Sequence, residues 1–229
     1  MNTFFQTPLA KVLFILVSGT LLGVGLTIVM DYLDSRSEVS QASLEQAQEP
    51  MIDYTQALEK LRTQFGLSDD DPAIVVSLTE QRLFLVKNNE VVKSYPISGS
   101  AYGAGSRAGS NKTPLGTHKV SEKFGNGAKT GTVFRARGQT TEIARIYTDS
   151  TDLDEDLVTT RILWLDGLEP GINKGKGVDS HSRFIYIHGT PEEGLIGRPA
   201  SHGCIRMINH DVIELFDSVP VGTLVEILE

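Results

Sequence analysis

RFIYIHGTPEEGLIGRPASHGCIRM, residues 183–207, reads as an apolar strand ending at His188 and Gly189, then a Gly/Pro-marked loop, then the string Ser201-His202-Gly203-Cys204. Cys204 is the single cysteine of the 229-residue chain. A lone Cys near two histidines is a candidate nucleophile with its base, because a thiolate attacks and an imidazole can accept its proton. Gly203 lets the backbone beside the sulfur turn its N–H groups toward a developing oxyanion. A buried structural Cys is the plainer possibility, since free Cys is among the most buried residue types.

The order His188, loop, SHGC, Ile205-Arg206 resembles the signature of the L,D-transpeptidases, the YkuD-type catalytic domain of bacterial cell-wall enzymes. Thr113-Pro114-Leu115-Gly116 is similar to that family's TPxG turn, and residues 74–99 to its opening strands. The resemblance covers 72–229 and implies a mainly β catalytic domain, sandwich or barrel-like, with a few short helices. It also implies roles. Cys204 is the nucleophile, His188 the base, and the main-chain carbonyl of Gly189 the group that orients the ring. The amides of His202, Gly203 and Cys204 are the oxyanion donors. Arg206 either grips a substrate carboxylate or packs structurally, and Ser201, Tyr186 and Trp164 are candidates to line the substrate. The implied reaction is acyl transfer on peptidoglycan: Cys204 attacks a tetrapeptide stem between meso-diaminopimelate and the terminal D-Ala, and an amine of a neighbouring stem resolves the thioester. Water, a free D-amino acid or a lipoprotein lysine are other acceptors, and some relatives act as amidases. The resemblance implies no cofactor and no metal, although His188, His202 and Cys204 would suit zinc in composition. It implies acylation by carbapenem-type inhibitors. A catalytically silent wall-binding module is the competing expectation.

Residues 12–30, VLFILVSGTLLGVGLTIVM, form an uncharged run long enough to cross a bilayer as a helix. Lys11 precedes it and Asp31 and Asp34 follow, so the positive-inside rule puts 1–11 in the cytoplasm and the rest outside. That is a single-pass anchor in the inner membrane with the catalytic domain in the periplasm or envelope. A cleaved signal peptide would have a shorter apolar region and a small-x-small site, which is missing before Asp31. Residues 31–71 read as a polar spacer followed by a short helix, with Ile52, Leu58, Leu61 and Phe65 near a helical period and Gly66 as its stop. An oxidising compartment normally pairs structural cysteines, so an unpaired Cys204 there favours a chemical task. The net charge of −8 argues against nucleic acid as the main partner.

From Ala73 the apolar period becomes two: Ile74, Val76 and Leu78, then Leu83 and Leu85, then Val91 to Ile97, with Asn88-Asn89 as a hairpin turn. The Gly/Ser/Ala segment 98–113 superficially fits a dinucleotide fingerprint, but Thr113-Pro114 follows in place of a helix. Residues 122–156 are the hardest to read. Lys119, Lys123, Lys129, Arg135, Arg137 and Arg145 give a solvated surface or an electrostatic track for wall-peptide carboxylates. The acidic run 149–156 lacks the Gly and Glu of a calcium loop and reads as a solvated turn. RILWLD (161–166) and 183–188 are expected strands, separated by a Gly/Lys-rich loop whose Lys174 and Lys176 are candidates to meet carboxylates. Past the motif, Asn209 is expected to cap a helix with Val212, Leu215, Phe216 and Val219 on one face, stopped by Pro220. Residues 221–228 read as a closing strand, and His118, His181 and His210 as surface or capping residues.

Overall fold

The computed structural model describes residues 54–229, so the expected anchor at 12–30 lies outside the described residues. Among those described, no helix is long and apolar enough to cross a membrane. Ten strands follow helix α1 (Tyr54–Phe65): β1 (Ala73–Ser77), β2 (Arg82–Lys87), β3 (Glu90–Ser98), β4 (Gly116–Phe124), β5 (Thr132–Arg135), β6 (Gly138–Ile143), β7 (Val158–Gly167), β8 (Tyr186–Gly189), β9 (Ile205–Met207) and β10 (Leu224–Leu228). Helix α2 (Asn209–Ser218) lies between β9 and β10.

The strands run in the order β4-β10-β1-β2-β3-β9-β8-β7, and β7 pairs back onto β4, closing a barrel. β5 and β6 stay outside the ring as a hairpin hung from β7. The period-two pattern decides which side chains fill the barrel, because alternate residues point to opposite faces. Ile74 and Val76, Leu83 and Leu85, Tyr95 and Ile97, Leu163 and Leu165, Ile187, Ile205 and Met207 share one core cluster with Val225 and Ile227. Helix α2 adds the predicted face of Val212, Leu215, Phe216 and Val219 to it.

The opposite faces of two wall regions are covered differently. Over β1 and β2, α1 buries Ala57, Leu58 and Leu61 against Ala73, Val75, Phe84 and Val86. Lys60 fastens the same helix to the barrel by ion pairs of 2.7 Å to Glu169 and 2.8 Å to Glu226. Over β7 and β8, the hairpin places Phe134 with Ile162, Trp164 and Tyr186 in a smaller aromatic cluster that Cys204 borders.

Several expectations change, among them the start of β8, which is Tyr186 and not Arg183. Asn209 is not the cap: Ile208 precedes the helix with no side-chain cap bond. The Asn209 side chain, 1% exposed, bonds instead to the Thr159 and Thr160 hydroxyls, Thr190 O and Glu193. Glu193 Oε1 also takes the Asn209 amide at 2.8 Å and so satisfies a first-turn donor from another element. His118 is not at the surface but fully buried, with Nδ1 on Gly116 O and Nε2 on Ser180 Oγ, each at 2.9 Å. Finally, 221–223 form a turn, and the closing strand begins at Leu224.

Candidate active site

Strands β8 and β9 run parallel with His188 opposite Arg206 and Ile187 opposite Ile205. Ile187, Ile205 and Met207 face the core, so Tyr186, His188, Cys204 and Arg206 alternate onto the other face. The barrel wall thus brings the two residues of the sequence motif, His188 and Cys204, onto one surface of adjacent strands. A bulge in β7 sets the neighbouring register, with Thr159 opposite Gly189 but Ile162 opposite His188. Thr160 in that bulge has φ 67, a strained value for a β-branched residue, and Asn209 holds its hydroxyl.

His188 is 1% exposed, and its Nδ1 lies 2.8 Å from Gly189 O. A carbonyl only accepts, so Nδ1 carries the proton and Nε2 is left with its lone pair. Burial lowers the imidazole's pKa below its usual value, against the opposing influence of the Asp156 charge and the Gly189 carbonyl.

Cys204 is partly exposed as a residue, but its sulfur packs into the aromatic cluster. Sγ accepts from Tyr186 N and donates to Phe184 O, both at 3.4 Å. Burial pushes the thiol up to about 12, and the nearby Asp156 charge adds to that. Both the thiol and the imidazole are therefore neutral at pH 7 in this arrangement.

Gly203 has φ 125, open to glycine and strained for any other residue, and this shapes the turn before the sulfur. The amides expected to face an oxyanion hold internal partners: His202 N donates to Asp156 Oδ2 at 3.1 Å and Gly203 N to Ser201 Oγ at 3.2 Å. Ser201, expected to line the substrate, is fully buried, and its hydroxyl donates to Cys204 O at 2.5 Å. There it braces the turn before the sulfur.

Arg206, expected either to grip a substrate carboxylate or to pack structurally, is engaged within the protein. It is 2% exposed, with Asp156 held at 2.9 Å and Glu192 at 2.8 Å. A fork already engaged by two carboxylates is not open to a third. Asp156 is the residue that sequence reading missed. It comes from the acidic run taken as a solvated turn, yet it binds Arg206, the His202 amide and, at 3.3 Å, His202 Nδ1. Its own pKa is lowered: burial works against this, but the neighbouring His188 ring, the Arg206 guanidinium and the His202 amide together outweigh it. The segment that delivers it is fixed where Tyr147 N donates to Pro191 O at 2.7 Å and Gly194 N to Tyr147 O at 3.0 Å. A Cβ at Gly194 would sit 1.8 Å from Asp149 O, so only glycine permits that crossing. The signal in the sequence was no more than an acidic residue next to a strand.

Trp164 and Tyr186, each 7% exposed, form the floor beside the sulfur. The indole stacks on His181 at 3.8 Å, and the Arg137 guanidinium lies 4.2 Å from its centroid. Two planar groups that close must occupy opposite faces of the ring. The basic residues of 119–145 do not make one continuous track. Lys123 Nζ binds Phe216 O at 2.5 Å and Val219 O at 2.7 Å at the end of α2, and Arg135 pairs with Glu155 at 2.5 Å. Lys174 pairs with Asp166 at 2.5 Å.

The model of the YkuD family, described as the L,D-transpeptidase catalytic domain, matches residues 71–227. A putative L,D-transpeptidase, YqjB, of Bacillus subtilis is 48% identical over 54 residues, 24% of this chain and 30% of that protein. The probable L,D-transpeptidase ErfK/SrfK of Escherichia coli is 51% identical over 47 residues, 20% of this chain and 15% of that protein. This chain therefore matches less than a third of the length of these curated relatives. Among solved structures, L,D-transpeptidase 3 from Mycobacterium tuberculosis in complex with a faropenem-derived adduct has a TM-score of 0.43 at 18% identity, covering 69% of this chain and 61% of that one. With the family model running from β1 almost to the end of β10, through both His188 and Cys204, the chain belongs to the L,D-transpeptidase catalytic-domain family.

Proposed function

We propose that this chain is a peptidoglycan L,D-transpeptidase in which Cys204 is the nucleophile and His188 its general base. The observation that carries this is the buried imidazole, whose Nδ1 is fixed on Gly189 O at 2.8 Å, on the same sheet face as the only thiol. Because the thiol and the imidazole are both neutral, proton transfer accompanies attack and no thiolate waits in advance. The thiol turns from Phe184 O toward His188 Nε2, and Sγ attacks the carbonyl between diaminopimelate and D-Ala. The His202, Gly203 and Cys204 amides stabilise the oxyanion, the first two exchanging their long internal bonds for the substrate oxygen. Losing one such donor typically costs about 3 kcal/mol of transition-state stabilisation. Asp156 stabilises the imidazolium that forms, and Arg206, tied to Asp156 and Glu192, keeps that carboxylate in place. His188 then protonates the leaving D-Ala amine, and an amine of a second stem resolves the thioester. These steps use side chains and backbone alone, with no cofactor or metal.

An N-terminal anchor at 12–30 would hold this domain on the outer side of the inner membrane, where its substrate lies. Carbapenem-type inhibitors would acylate Cys204, and an unchanged intact mass after incubation would count against that.

The test is the full chain in detergent, incubated with a disaccharide-tetrapeptide and followed by mass spectrometry. The expected product is a dimer lighter by one D-Ala, absent with Cys204→Ala. Loss of D-Ala without dimerisation would make the chain a carboxypeptidase. The hindered thiol also fits a silent wall-binding module, and no turnover together with alkylation unaffected by His188→Ala would establish that reading.

A further inference from the structure

We propose that Arg137 is the specificity-determining residue of this site: a guanidinium held beside Cys204 to bind a carboxylate that the acyl donor carries next to the scissile bond. The inference rests on the transpeptidase reading above and names a recognition group that the motif does not contain.

Three independent observations support it. The first is the turn that carries the residue. Arg135 pairs with Gly138, so Ala136 and Arg137 are the whole loop between β5 and β6. Both have positive φ, 47 and 69, the type I′ geometry usually given to Asn-Gly. Alanine and arginine rarely adopt it, and a strained turn that aims one side chain at a candidate site is a hint of function.

The second is where the side chain goes. It does not extend into solvent like its neighbour Arg135. The guanidinium lies 4.2 Å from the Trp164 centroid and 5.3 Å from that of Phe184, and Nη1 donates to Tyr186 OH at 3.2 Å. Phe184 O and Tyr186 N are the two groups that hold the Cys204 sulfur. The residues that position the thiol are thus the residues that position Arg137. Stacking on an aromatic ring immobilises a guanidinium by its plane and leaves N–H donors at its edge.

The third is the charge. Among the described residues, no carboxylate lies within ion-pairing distance of Arg137, whereas Arg206 is closed by Asp156 and Glu192. Arg183, also near the sulfur, has Nη1 on Gly105 O at 3.4 Å and Nη2 on Lys112 O at 2.6 Å, tying down the 98–113 segment. On a chain of net charge −8, an anionic ligand needs a local cation to approach at all. Arg137 is preorganised and faces the site, and its charge is not neutralised there. A fork of this kind matches a carboxylate bidentately.

The test measures selectivity. In the full chain carrying Cys204→Ala, so that nothing turns over, binding of the tetrapeptide stem is compared with binding of the same peptide whose carboxylates are converted to carboxamides. The expected result is a preference for the acid form of about tenfold or more, as a charge-assisted pair gives. That preference falls to near unity with Arg137→Met and is partly kept with Arg137→Lys, which retains the charge but not the stacked plane. A preference unchanged in Arg137→Met, even with both peptides weakened, would assign the residue to packing and overturn the proposal, as would equal or absent binding of the two forms by the parent. Turnover by the wild-type chain is scored separately. Selective binding without transfer would remove the transpeptidase reading and leave the carboxylate subsite; transfer without Arg137-dependent selectivity would do the reverse.

Discussion

The two faces that cover the outside of the barrel are built on opposite terms. Over β1 and β2, an amphipathic helix seals the wall with Ala57, Leu58 and Leu61, and each residue of β1 is buried. Over β7, β8 and β9, the cover is a short hairpin of which β6 is almost wholly exposed, and the surface beneath holds a thiol, an imidazole and a buried ion-pair cluster. The helix buries apolar side chains and so yields stability. The hairpin covers Ile162, Trp164 and Tyr186 but leaves Cys204 beside them partly exposed, as a reacting group must be. The same strand alternation makes both faces; what lies on top decides their use.

The largest contrast should come from cutting each face at its centre. Leu61→Ala removes a fully buried side chain from the sealed face and should cost about 2–5 kcal/mol in denaturant unfolding, with KM unmoved in what remains folded. Cys204→Ala should do the opposite, abolishing D-Ala release while shifting the unfolding midpoint little. If Leu61→Ala changed KM, the two faces would not be independent.

A second comparison uses pH. His118, buried at the end of the barrel near Lys60, has its pKa lowered to about 4 by burial. The unfolded chain binds a proton near 6.5 that the folded chain refuses, so stability is complete above that value and falls as pH drops toward 4. Between pH 7 and pH 5 the loss should be about 2 kcal/mol, and His118→Gln should flatten the slope.

In the hairpin-covered face the equivalent titration is that of the proposed base, His188. The Asp156 charge raises the His188 pKa against burial, so Asp156→Asn should lower it further. The acid limb of kcat/KM then moves to lower pH, while the plateau drops by a few-fold, at most about tenfold, for each unit of coupling lost. An acid limb that stayed in place would mean that His188 is not the base.

The smallest effect is expected at Lys123, which closes the last turn of α2 by binding Phe216 O and Val219 O. Lys123→Met should cost about 1 kcal/mol and leave activity alone.

Local patterns made the barrel interior and the helix outside it easy to read. Ile74, Val76, Leu83 and Leu85 alternate as predicted, Asn88 and Asn89 both take positive φ in the expected turn, and α1 stops at Gly66 with φ 75. His188, Gly203 and Cys204 were legible because the motif is contiguous apart from one loop. The rest of the site depends on contacts far apart in sequence. Asp156 meets Arg206 across 50 positions and Arg137 meets Tyr186 across 49, and neither carries a local signal. The burial of His118 carries no local signal either, since its partner Ser180 is 62 positions away. Asn209 reads as a cap by its type, but the bulge at Thr159 and Thr160 draws its side chain inward.

Closure of β4 onto β7 also bears on how copies of the chain behave when crowded. Among the described residues, β6 is the one strand of the sheet that pairs on one side only. Its sequence is GQTTEI, polar except at its end, and nearly all of it is exposed. A short, polar strand bearing Glu142 is a poor template for another chain. Residues 54–229 therefore offer little for edge-to-edge aggregation, and copies of this domain can crowd together without pairing through its sheet.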